Sequence, residues 1–394
     1  RPSFRRRRLR PLTIGRASTF FPRVSCIMTA SPTAAALSSR DRVNRAIDGL
    51  EHDRVPRHET FWRDTLERWA GEGLVGDASA ILEELRSDFH SLGGWTTPFP
   101  GHREVIAEDD ETITFVNSWL ETVKQWKGRS GTPEHLDWGC RTREAWEQTF
   151  KPALQNATHD EVDADAVAAA HAAGQERERW CFFSALESFE ALRHLLGDVD
   201  CMMAMCEDPD WIAEMSRVWT DFSLARLDRM VAAIGDGSLD GVWCYGDMAF
   251  NHATMCSPQM YRELIWPDHK RLADWAHAHD AKFIYHTDGN VNGVLDLYEQ
   301  AGFDVLQPLE AKADMDIRRL VPERGDRLAF MGNVDVMVLA TNDRDAIEAE
   351  VRAKLKAGMA KRRYIYHSDH SIPPQVSLDT YRFVIDLLDR HGTY

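Results

Sequence analysis

The 394-residue sequence lacks the features that mark membrane proteins and nucleic-acid-binding proteins. No apolar run approaches the roughly 18 residues of a membrane-spanning helix, so we expect no membrane contact. Basic residues are too few for a nucleic-acid partner, since 47 lysines and arginines face 63 aspartates and glutamates and the formal net charge is −16. The same charge disfavours a polyanionic substrate unless basic side chains cluster locally. With 43% hydrophobic and 28% charged residues, the composition is globular, and we expect a small-molecule substrate.

Cysteine pairs and glycine-rich nucleotide motifs are absent as well. The seven cysteines are scattered and include no CxxC pair. An odd, unpatterned set predicts reduced thiols in a cytoplasmic protein. Neither GxGxxG nor GxxxxGK followed by Ser or Thr occurs, so a Rossmann or P-loop site has no support.

The first 27 residues differ from the rest of the chain. They contain eight arginines, no acidic residue, and no methionine before Met28. One interpretation is a mitochondrial presequence, which would change the expected location from cytoplasmic to mitochondrial. We favour upstream sequence translated in error, because Pro2, Pro11 and Pro22 would interrupt the amphipathic helix of a presequence. We therefore expect residues 1–37 to form an Arg-rich disordered extension and residues 38–394 to form one domain.

The N-terminal part of that domain has a mixed pattern. Ser38 and Ser39 precede apolar residues at helical spacing, which predicts a helix start. Residues 60–90 and 141–177 also have helix-like patterns. Between them, ITFVNSW and TVKQWKG are typical of short strands.

After residue 180 a regular alternation begins. Short β-branched and aromatic runs occur at 180–185, 241–246, 282–287, 304–307, 327–332 and 363–368, with helical patterns between them. Such alternation predicts βαβ units and a parallel sheet. With one or two strands from the N-terminal third, it predicts an α/β (β/α)8 TIM barrel with an N-terminal helical and loop elaboration. A doubly wound open sheet is the alternative.

Polar side chains follow these strands. In such a barrel, functional groups lie at the C-terminal ends of the strands. The residues found there are Asp247, His286, Asp288, Glu310, Asn333, Asp335, Asp369 and His370. We expect these imidazoles and carboxylates to meet at one rim, as in a metal site or an acid–base site.

Some of these residues have simpler explanations. An aspartate after a strand often caps the next helix, and this applies equally to Asp247 and Asp335. Asn290 and Asn333 suit loop formation as well as substrate contact. His286 differs, because it lies on an apolar strand just before the turn-forming Gly289.

The C-terminal half resembles a known family. The runs YGDMA, SPQMYRELIWPDHKRLADWAHAHDAKFIYHTDGN, GFDVLQPLE, LAFMGNVD and YHSDHSIPPQVS are similar to the uroporphyrinogen decarboxylase (URO-D) superfamily, which includes corrinoid-dependent and methionine-synthase-type methyltransferases. The resemblance is weak before residue 180 and strong from residue 241. It implies the same barrel and one of two chemistries, methyl transfer or decarboxylation.

The methyltransferase branch implies a metal site. There, zinc is held by a histidine, a cysteine two residues later, a glutamate and a late cysteine, and His286, Asp288, Glu310 and His370 take those positions. Without thiolates, iron or manganese are alternatives to zinc. The resemblance further implies a metal-dependent methyltransferase that works with a corrinoid protein. Other expected site residues are Asp247 and Asp369, which would orient ligands or move protons, and Glu187, Glu190, Asn290 and Asn333, which would contact substrate.

Two other functions stay open. The first is a cofactor-free decarboxylase of a porphyrinogen or, more readily, of a smaller and less anionic carboxylate, with Asp88 and His370 as its acid–base pair. The family's arginine motif is reduced to Arg54 and Arg57 and its tyrosine is missing from SALESFEALRHLLG, so we expect no uroporphyrinogen substrate. The second is a non-catalytic barrel that binds a metabolite. A homodimer is compatible with each of these functions.

Overall fold

The computed structural model describes residues 37–156, 162–235 and 237–394. The expected Arg-rich extension therefore lies outside the described residues, apart from Leu37. None of the helices within the described residues is long and apolar enough to cross a membrane.

The described residues contain two β-sheets. In chain order the strands are β1 (Phe89–Ser91), β2 (Glu104–Glu108), β3 (Thr112–Val116), β4 (Thr122–Trp126), β5 (Glu134–Asp137), β6 (Trp180–Leu186), β7 (Gly241–Tyr245), β8 (Lys282–Thr287), β9 (Val305–Pro308), β10 (Ala329–Met331) and β11 (Tyr364–Ile365). A seven-stranded parallel sheet has the order β1-β6-β7-β8-β9-β10-β11, and an antiparallel sheet has the order β2-β3-β4-β5.

Helices separate the strands of the parallel sheet. They are α1 (Ser39–Asp48), α2 (Arg63–Gly71), α3 (Ala78–Leu85), α4 (Arg143–Ala145), α5 (Lys151–Asn156), α6 (Ala164–Glu176), α7 (Ser188–Leu196), α8 (Asp198–Glu207), α9 (Pro209–Ile234), α10 (Pro258–Leu264), α11 (Trp266–Ala278), α12 (Leu295–Ala301), α13 (Ile317–Arg324), α14 (Val336–Leu339), α15 (Arg344–Gly358) and α16 (Leu378–His391). The expected helix start is confirmed, because the Ser38 side chain accepts a hydrogen bond from the backbone N–H of Asp41. At least one helix lies between each pair of successive strands from β6 to β11, as the alternation predicts.

The N-terminal third differs from the prediction in two respects. The strands predicted between residues 95 and 140 are present as β3 and β4, but each pairs with its sequence neighbours in the antiparallel sheet and adds nothing to the parallel one. The strand that does join the parallel sheet is β1, which falls at the end of a stretch predicted as helix. A three-residue strand is too short to produce a period that can be recognised in the sequence.

The two edge strands of the curled parallel sheet are linked through residues 56–58. The backbone N–H of Tyr366 donates to Pro56 O at 2.8 Å, and that of His58 donates to Tyr366 O at 3.0 Å. On the other side, the backbone N–H of Asp88 donates to Arg57 O at 2.8 Å. This segment does not form a regular strand, so a closed barrel of eight strands is not confirmed.

The inward face of the parallel sheet changes from apolar to polar along the strands. A buried apolar cluster includes Phe182, Trp243, Ile284, Val305 and Ile365. Successive side chains of a strand alternate between faces, so residues two positions further on point the same way. These residues are Ser184, Tyr245, His286, Gln307 and His367, and we call them the polar layer. It forms the floor of the rim where polar residues were expected to meet.

Candidate functional site

Three side chains meet at the C-terminal ends of the neighbouring strands β7 and β8. One ligand-type atom from each of Asp247, His286 and Asp288 lies within 4.8 Å of the other two. His286 Nε2 is 3.8 Å from Asp247 Oδ1, and the same oxygen accepts a 3.0 Å hydrogen bond from the Asp288 backbone N–H. We call these residues the Asp–His–Asp cluster. Among the described residues, it is the one such group compact enough to hold a metal ion.

A tight turn after β8 fixes the position of Asp288. Gly289 has a φ of +82°, and a Cβ at this position would collide with the backbone of Ala249. Only glycine adopts this conformation next to another backbone without strain. The Gly289 N–H donates to Glu310 Oε2 at 2.9 Å, so the turn also fixes the loop that follows β9.

The Asp288 carboxylate lacks a partner that its burial requires. Its Oδ1 atom is buried and has no hydrogen-bond partner among the described residues. Burial raises the pKa of Asp288, while His286 opposes that rise and Asp247 adds to it. A buried, unpaired carboxylate oxygen is unfavourable unless a cation or a donor is placed beside it. The cluster therefore fits a divalent metal, which would supply that charge.

The orientation of His286 is set by a neighbour in the polar layer. Its Nδ1 donates a 2.5 Å hydrogen bond to Gln307 Oε1, across the register in which β8 and β9 place the two residues opposite each other. This bond leaves the lone pair of Nε2 facing the cluster, as a metal ligand requires. Gln307 was not predicted as a site residue.

The other two predicted ligands lie beside the cluster. Both oxygens of Glu310 are engaged, one with the Gly289 N–H and one with Lys312 Nζ at 2.7 Å. His370 stacks on the Trp62 ring, and its Nε2 lies 3.7 Å from Asp288 Oδ2. The structure therefore brings His286 and Asp288 together with Asp247. Asp247 was expected to orient ligands or move protons, and Glu310 was expected as the neighbouring ligand.

A cavity of about 350 Å³ adjoins this rim on the side of β9 to β11. Glu310, Lys312, Asp369 and His370 are among the residues that line it. Asp369 accepts hydrogen bonds from the backbone N–H groups of Val336 and Ala311, and burial raises its pKa to about 6. The cavity therefore combines a size suited to a small molecule with a carboxyl group that can change its charge near neutral pH.

Asp88 does not lie near His370, with which it was expected to form the acid–base pair of a decarboxylase. It precedes β1, so it lies at the N-terminal end of the parallel sheet, whereas His370 follows the C-terminal end of β11. Its carboxylate is fully buried and pairs with Arg42 and Arg54, each at 2.8 Å. The predicted acid–base pair of Asp88 and His370 is therefore not formed, because the two residues lie at opposite ends of the sheet.

Three of the residues that were expected to contact substrate are engaged in hydrogen bonds within the protein. Glu187 is fully buried, caps α7 and pairs with His269 Nε2 at 2.5 Å. The Asn333 side chain donates to the backbone oxygens of Leu309 and Met315 and accepts from Ile317 N–H.

Asn290 also has a local partner. Its side chain accepts from the backbone N–H of Asn292 within its own loop. Glu190, which was also expected to contact substrate, lines a cavity of about 730 Å³ that is different from the one beside His370.

The curled parallel sheet with its polar C-terminal rim defines an α/β protein with an enzyme-like site. Residues 197–391 match the family model described as uroporphyrinogen decarboxylase (URO-D). A methyltransferase from Methanosarcina mazei has a similar structure, with a TM-score of 0.61 and 15% sequence identity over 90% of this chain and 99% of that one. At this identity the similarity shows the fold alone.

Other comparisons add little. A β-glucosidase mutant derived from a hyperthermophilic tetrameric structure covers 92% of both chains at 9% identity, but its TM-score of 0.28 is too low to carry an argument. No match was found among curated proteins. The resemblance expected from the sequence is therefore confirmed as a match of residues 197–391 to the URO-D family model, and the expected fold is confirmed as a curled α/β architecture.

Proposed function

We propose that this chain is a metal-dependent group-transfer enzyme of the methyltransferase type. The observation that supports this most directly is the buried Asp288 Oδ1 atom without a partner, which lies beside His286 and Asp247 at the end of neighbouring strands. The similarity in fold to a methyltransferase and the match of residues 197–391 to the URO-D family model are consistent with it.

The Asp–His–Asp cluster would hold the metal. Two carboxylates would neutralise a dication, and oxygen and imidazole donors suit zinc, iron or manganese. His370, 3.7 Å from Asp288, is the neighbour best placed to join them. A bound dication would act as a Lewis acid that lowers the pKa of a substrate heteroatom bound to it, and so activates that atom as the acceptor of the transferred group.

The chain's own residues would handle substrate and protons. Asp369, with its pKa of about 6, can exchange a proton with a substrate in the adjoining cavity near neutral pH. Trp62 and Val336 give that cavity apolar walls, and Lys312 gives it a cation. The proposal also includes a corrinoid protein as partner, a homodimer and a cytoplasmic location. It further includes residues 56–58 as the eighth strand of the barrel.

A porphyrinogen decarboxylase fits this rim less well. Asp247, Asp288 and Asp369 all lie at the rim and would repel a polycarboxylate substrate. The alternative pair of Asp88 and His370 is divided between the two ends of the sheet.

The proposal is tested by the metal content of the protein. We would purify residues 28–394 without chelator and measure bound metals by inductively coupled plasma mass spectrometry. We expect about one equivalent of zinc, iron or manganese in the wild type, and its loss in His286→Ala and Asp288→Asn. The exposed His102 provides the control His102→Ala, which should keep the metal. A wild type that stays metal-free after reconstitution, or a His286→Ala protein that keeps its metal, would overturn the proposal.

A further inference from the structure

The backbone of Asp247 is held by two side chains of α7. Its N–H donates to Glu190 Oε2 at 3.1 Å, and its carbonyl oxygen accepts from Arg193 Nη1 at 3.0 Å. The same two side-chain atoms pair with each other at 2.6 Å. Among the described residues, neither backbone group of Asp247 has another hydrogen-bond partner. One ion pair therefore satisfies both groups and determines where this residue lies.

The ion pair is itself fixed against the end of β7. The Glu187 N–H, just before α7, donates to Tyr245 O at 2.9 Å. A Cβ at Gly246 would collide with the Glu187 side chain, so only glycine permits this close approach. Glu190 and Arg193 follow at intervals of three residues, which makes them neighbours on the helix surface. The start of the loop after β7 is therefore attached to α7 at successive residues.

Arg193 is also held from its other side. Its Nε donates to Asp198 Oδ1 at 2.8 Å, at the start of α8. The side chains of Glu190 and Arg193 are only 20% and 16% exposed. Charge-assisted hydrogen bonds are stronger than neutral ones, and partial burial protects them from screening by salt. The contacts with the Asp247 backbone are therefore a stronger restraint than hydrogen bonds to water in an exposed loop.

The Asp247 side chain depends on this restraint, because its position in the Asp–His–Asp cluster is electrostatically unfavourable. Its Oδ1 atom accepts from the Asp288 N–H and lies 3.8 Å from His286 Nε2. It raises the pKa of the Asp288 carboxyl, as a nearby negative charge does. The Asp247 side chain is also 39% exposed, so packing alone does not hold it. The contacts with α7 supply the restraint that the side chain itself lacks.

We propose that Glu190 and Arg193 are positioning residues of the metal site. They hold Asp247 where its carboxylate completes the Asp–His–Asp cluster, without being ligands themselves. Their role rests on the proposed function, since a metal must bind at the cluster for the position of Asp247 to matter. Glu190 was expected to contact substrate, and in this role it acts on a metal ligand instead.

The first test changes Glu190 in two ways. Glu190→Gln keeps an oxygen that accepts the Asp247 N–H, whereas Glu190→Leu removes it. Competition with a chromophoric chelator for Zn²⁺ measures the affinity of each variant. We expect Glu190→Leu to bind zinc about tenfold more weakly than the wild type, and Glu190→Gln to bind it within about twofold of the wild type. Arg193→Met loses the donor to the Asp247 carbonyl and should weaken binding as Glu190→Leu does.

A double-mutant cycle separates positioning from a general loss of stability. An Asp247→Ala protein has no carboxylate to position, so adding Glu190→Leu to it should lower zinc affinity no further. The visible spectrum of Co²⁺-loaded Glu190→Leu should shift towards that of Co²⁺-loaded Asp247→Ala, because the same ligand is displaced. An equal loss of affinity from Glu190→Leu with and without the Asp247 carboxylate would overturn the proposal. If Glu190→Leu does not fold, Arg193→Met takes its place in the cycle.

Glu299→Leu is the matched control. Glu299 lies on α12, is 14% exposed and pairs with Arg324 and Arg327, so this variant breaks a comparable ion pair that does not involve the cluster. It should leave zinc affinity unchanged, and a loss equal to that of Glu190→Leu would contradict the proposal.

A wild type that binds no metal would instead overturn the proposed function. The hold on Asp247 is then tested by hydrogen–deuterium exchange of its amide, which needs no metal. The Asp247 amide should exchange faster in Glu190→Leu than in Glu299→Leu, because its acceptor is gone. Equal exchange rates in the two variants would show that Glu190 does not hold Asp247.

Discussion

Gln307 is the residue on which the orientation of His286 depends. Its carbonyl oxygen accepts the Nδ1 proton of His286, which leaves Nε2 free for a metal. We predict that Gln307→Leu lowers metal affinity about 10- to 100-fold, since partners behind a ligating histidine typically contribute this much. Gln307→Glu should keep the affinity, because a carboxylate accepts the same proton. Competition with a chromophoric chelator measures both.

A surface glutamine provides the control for this prediction. Gln259 lies on α10, where its side chain donates to Glu263 in an exposed pair. Gln259→Leu makes the same chemical change away from the site and should leave metal affinity unchanged. If Gln307→Leu binds metal as tightly as Gln259→Leu does, then Gln307 does not position His286.

Glu59 makes the stability of the protein depend on pH. Its side chain is 1% exposed, accepts a 2.7 Å hydrogen bond from Ser368 Oγ and lies 3.4 Å from His367 Nδ1. Burial raises the pKa of Glu59 to about 8 from an ordinary value of 4.5. As pH rises between these values, the unfolded chain releases this proton while the folded protein keeps it, so the contribution to stability falls.

We therefore predict a pH-dependent difference between the wild type and Glu59→Gln. The stability of the wild type relative to the variant should fall from pH about 5 to about 8, by an amount on the order of a few kcal/mol. Thermal unfolding across that range, with the exposed Glu67→Gln as control, measures it. Parallel curves for wild type and Glu59→Gln would show that Glu59 is already ionised in the folded protein.

At the scale of one helix, Glu187 performs two functions at the start of α7. Its carboxylate accepts the backbone N–H groups of Phe189 and Glu190, both at 2.6 Å, and pairs with the buried His269. We predict that Glu187→Ala costs about 3–5 kcal/mol of unfolding free energy, because it removes a helix cap and leaves the buried Nε2 atom of His269 without its partner. Urea unfolding measures it.

The cap of α3 is the matched control. Asp77 is exposed and accepts the N–H of Ser79, but it has no buried partner. Asp77→Ala should therefore cost only about 1 kcal/mol. Equal losses in the two variants would mean that the pairing of Glu187 with His269 adds nothing to the cap.

The elements that were predictable are those with a local signal. The strands from β6 to β11 were found from their apolar and β-branched runs, and the HTDGN turn identified His286 and Asp288 at the end of β8. Gln307 gave no such signal, because its partnership with His286 arises from the register of two strands. The role of Asp247 was ambiguous for the same reason, since only the pairing of β7 with β8 places it beside Asp288.

At the scale of the molecule, charge pairing was the least predictable property. The sequence predicted a rim of carboxylates, but not that Lys312 would engage Glu310 or that Asp88 would face Arg42 and Arg54. These pairs join residues from different elements, so they depend on the finished fold. The cavity of about 730 Å³ that Glu190 lines was missed for the same reason, because its walls come from the antiparallel sheet and from α7 and α8.

The network around Asp88 holds the two edges of the parallel sheet together. Asp88 Oδ2 accepts the backbone N–H of Arg57 at 2.8 Å, in the segment whose other side is hydrogen-bonded to Tyr366 beyond β11. Arg42 brings α1 into the same network, and its second partner, Asp53, is partly exposed. One buried carboxylate therefore ties α1, β1 and the linking segment to one another.

We predict that Asp88→Asn destabilises the whole molecule by about 3–5 kcal/mol, because Arg54 loses its charge partner and the buried Arg42 keeps only the more exposed Asp53. Asp53→Asn, which removes the exposed partner of Arg42, should cost at most about 1 kcal/mol. Urea unfolding would show a lower midpoint at an unchanged m-value if the sheet still unfolds as one unit. Metal content of folded Asp88→Asn should equal that of the wild type, since Asp88 lies at the far end of the sheet from His286. A stable Asp88→Asn protein that loses its metal would instead show that Asp88 supports the metal site despite its position at the other end of the sheet.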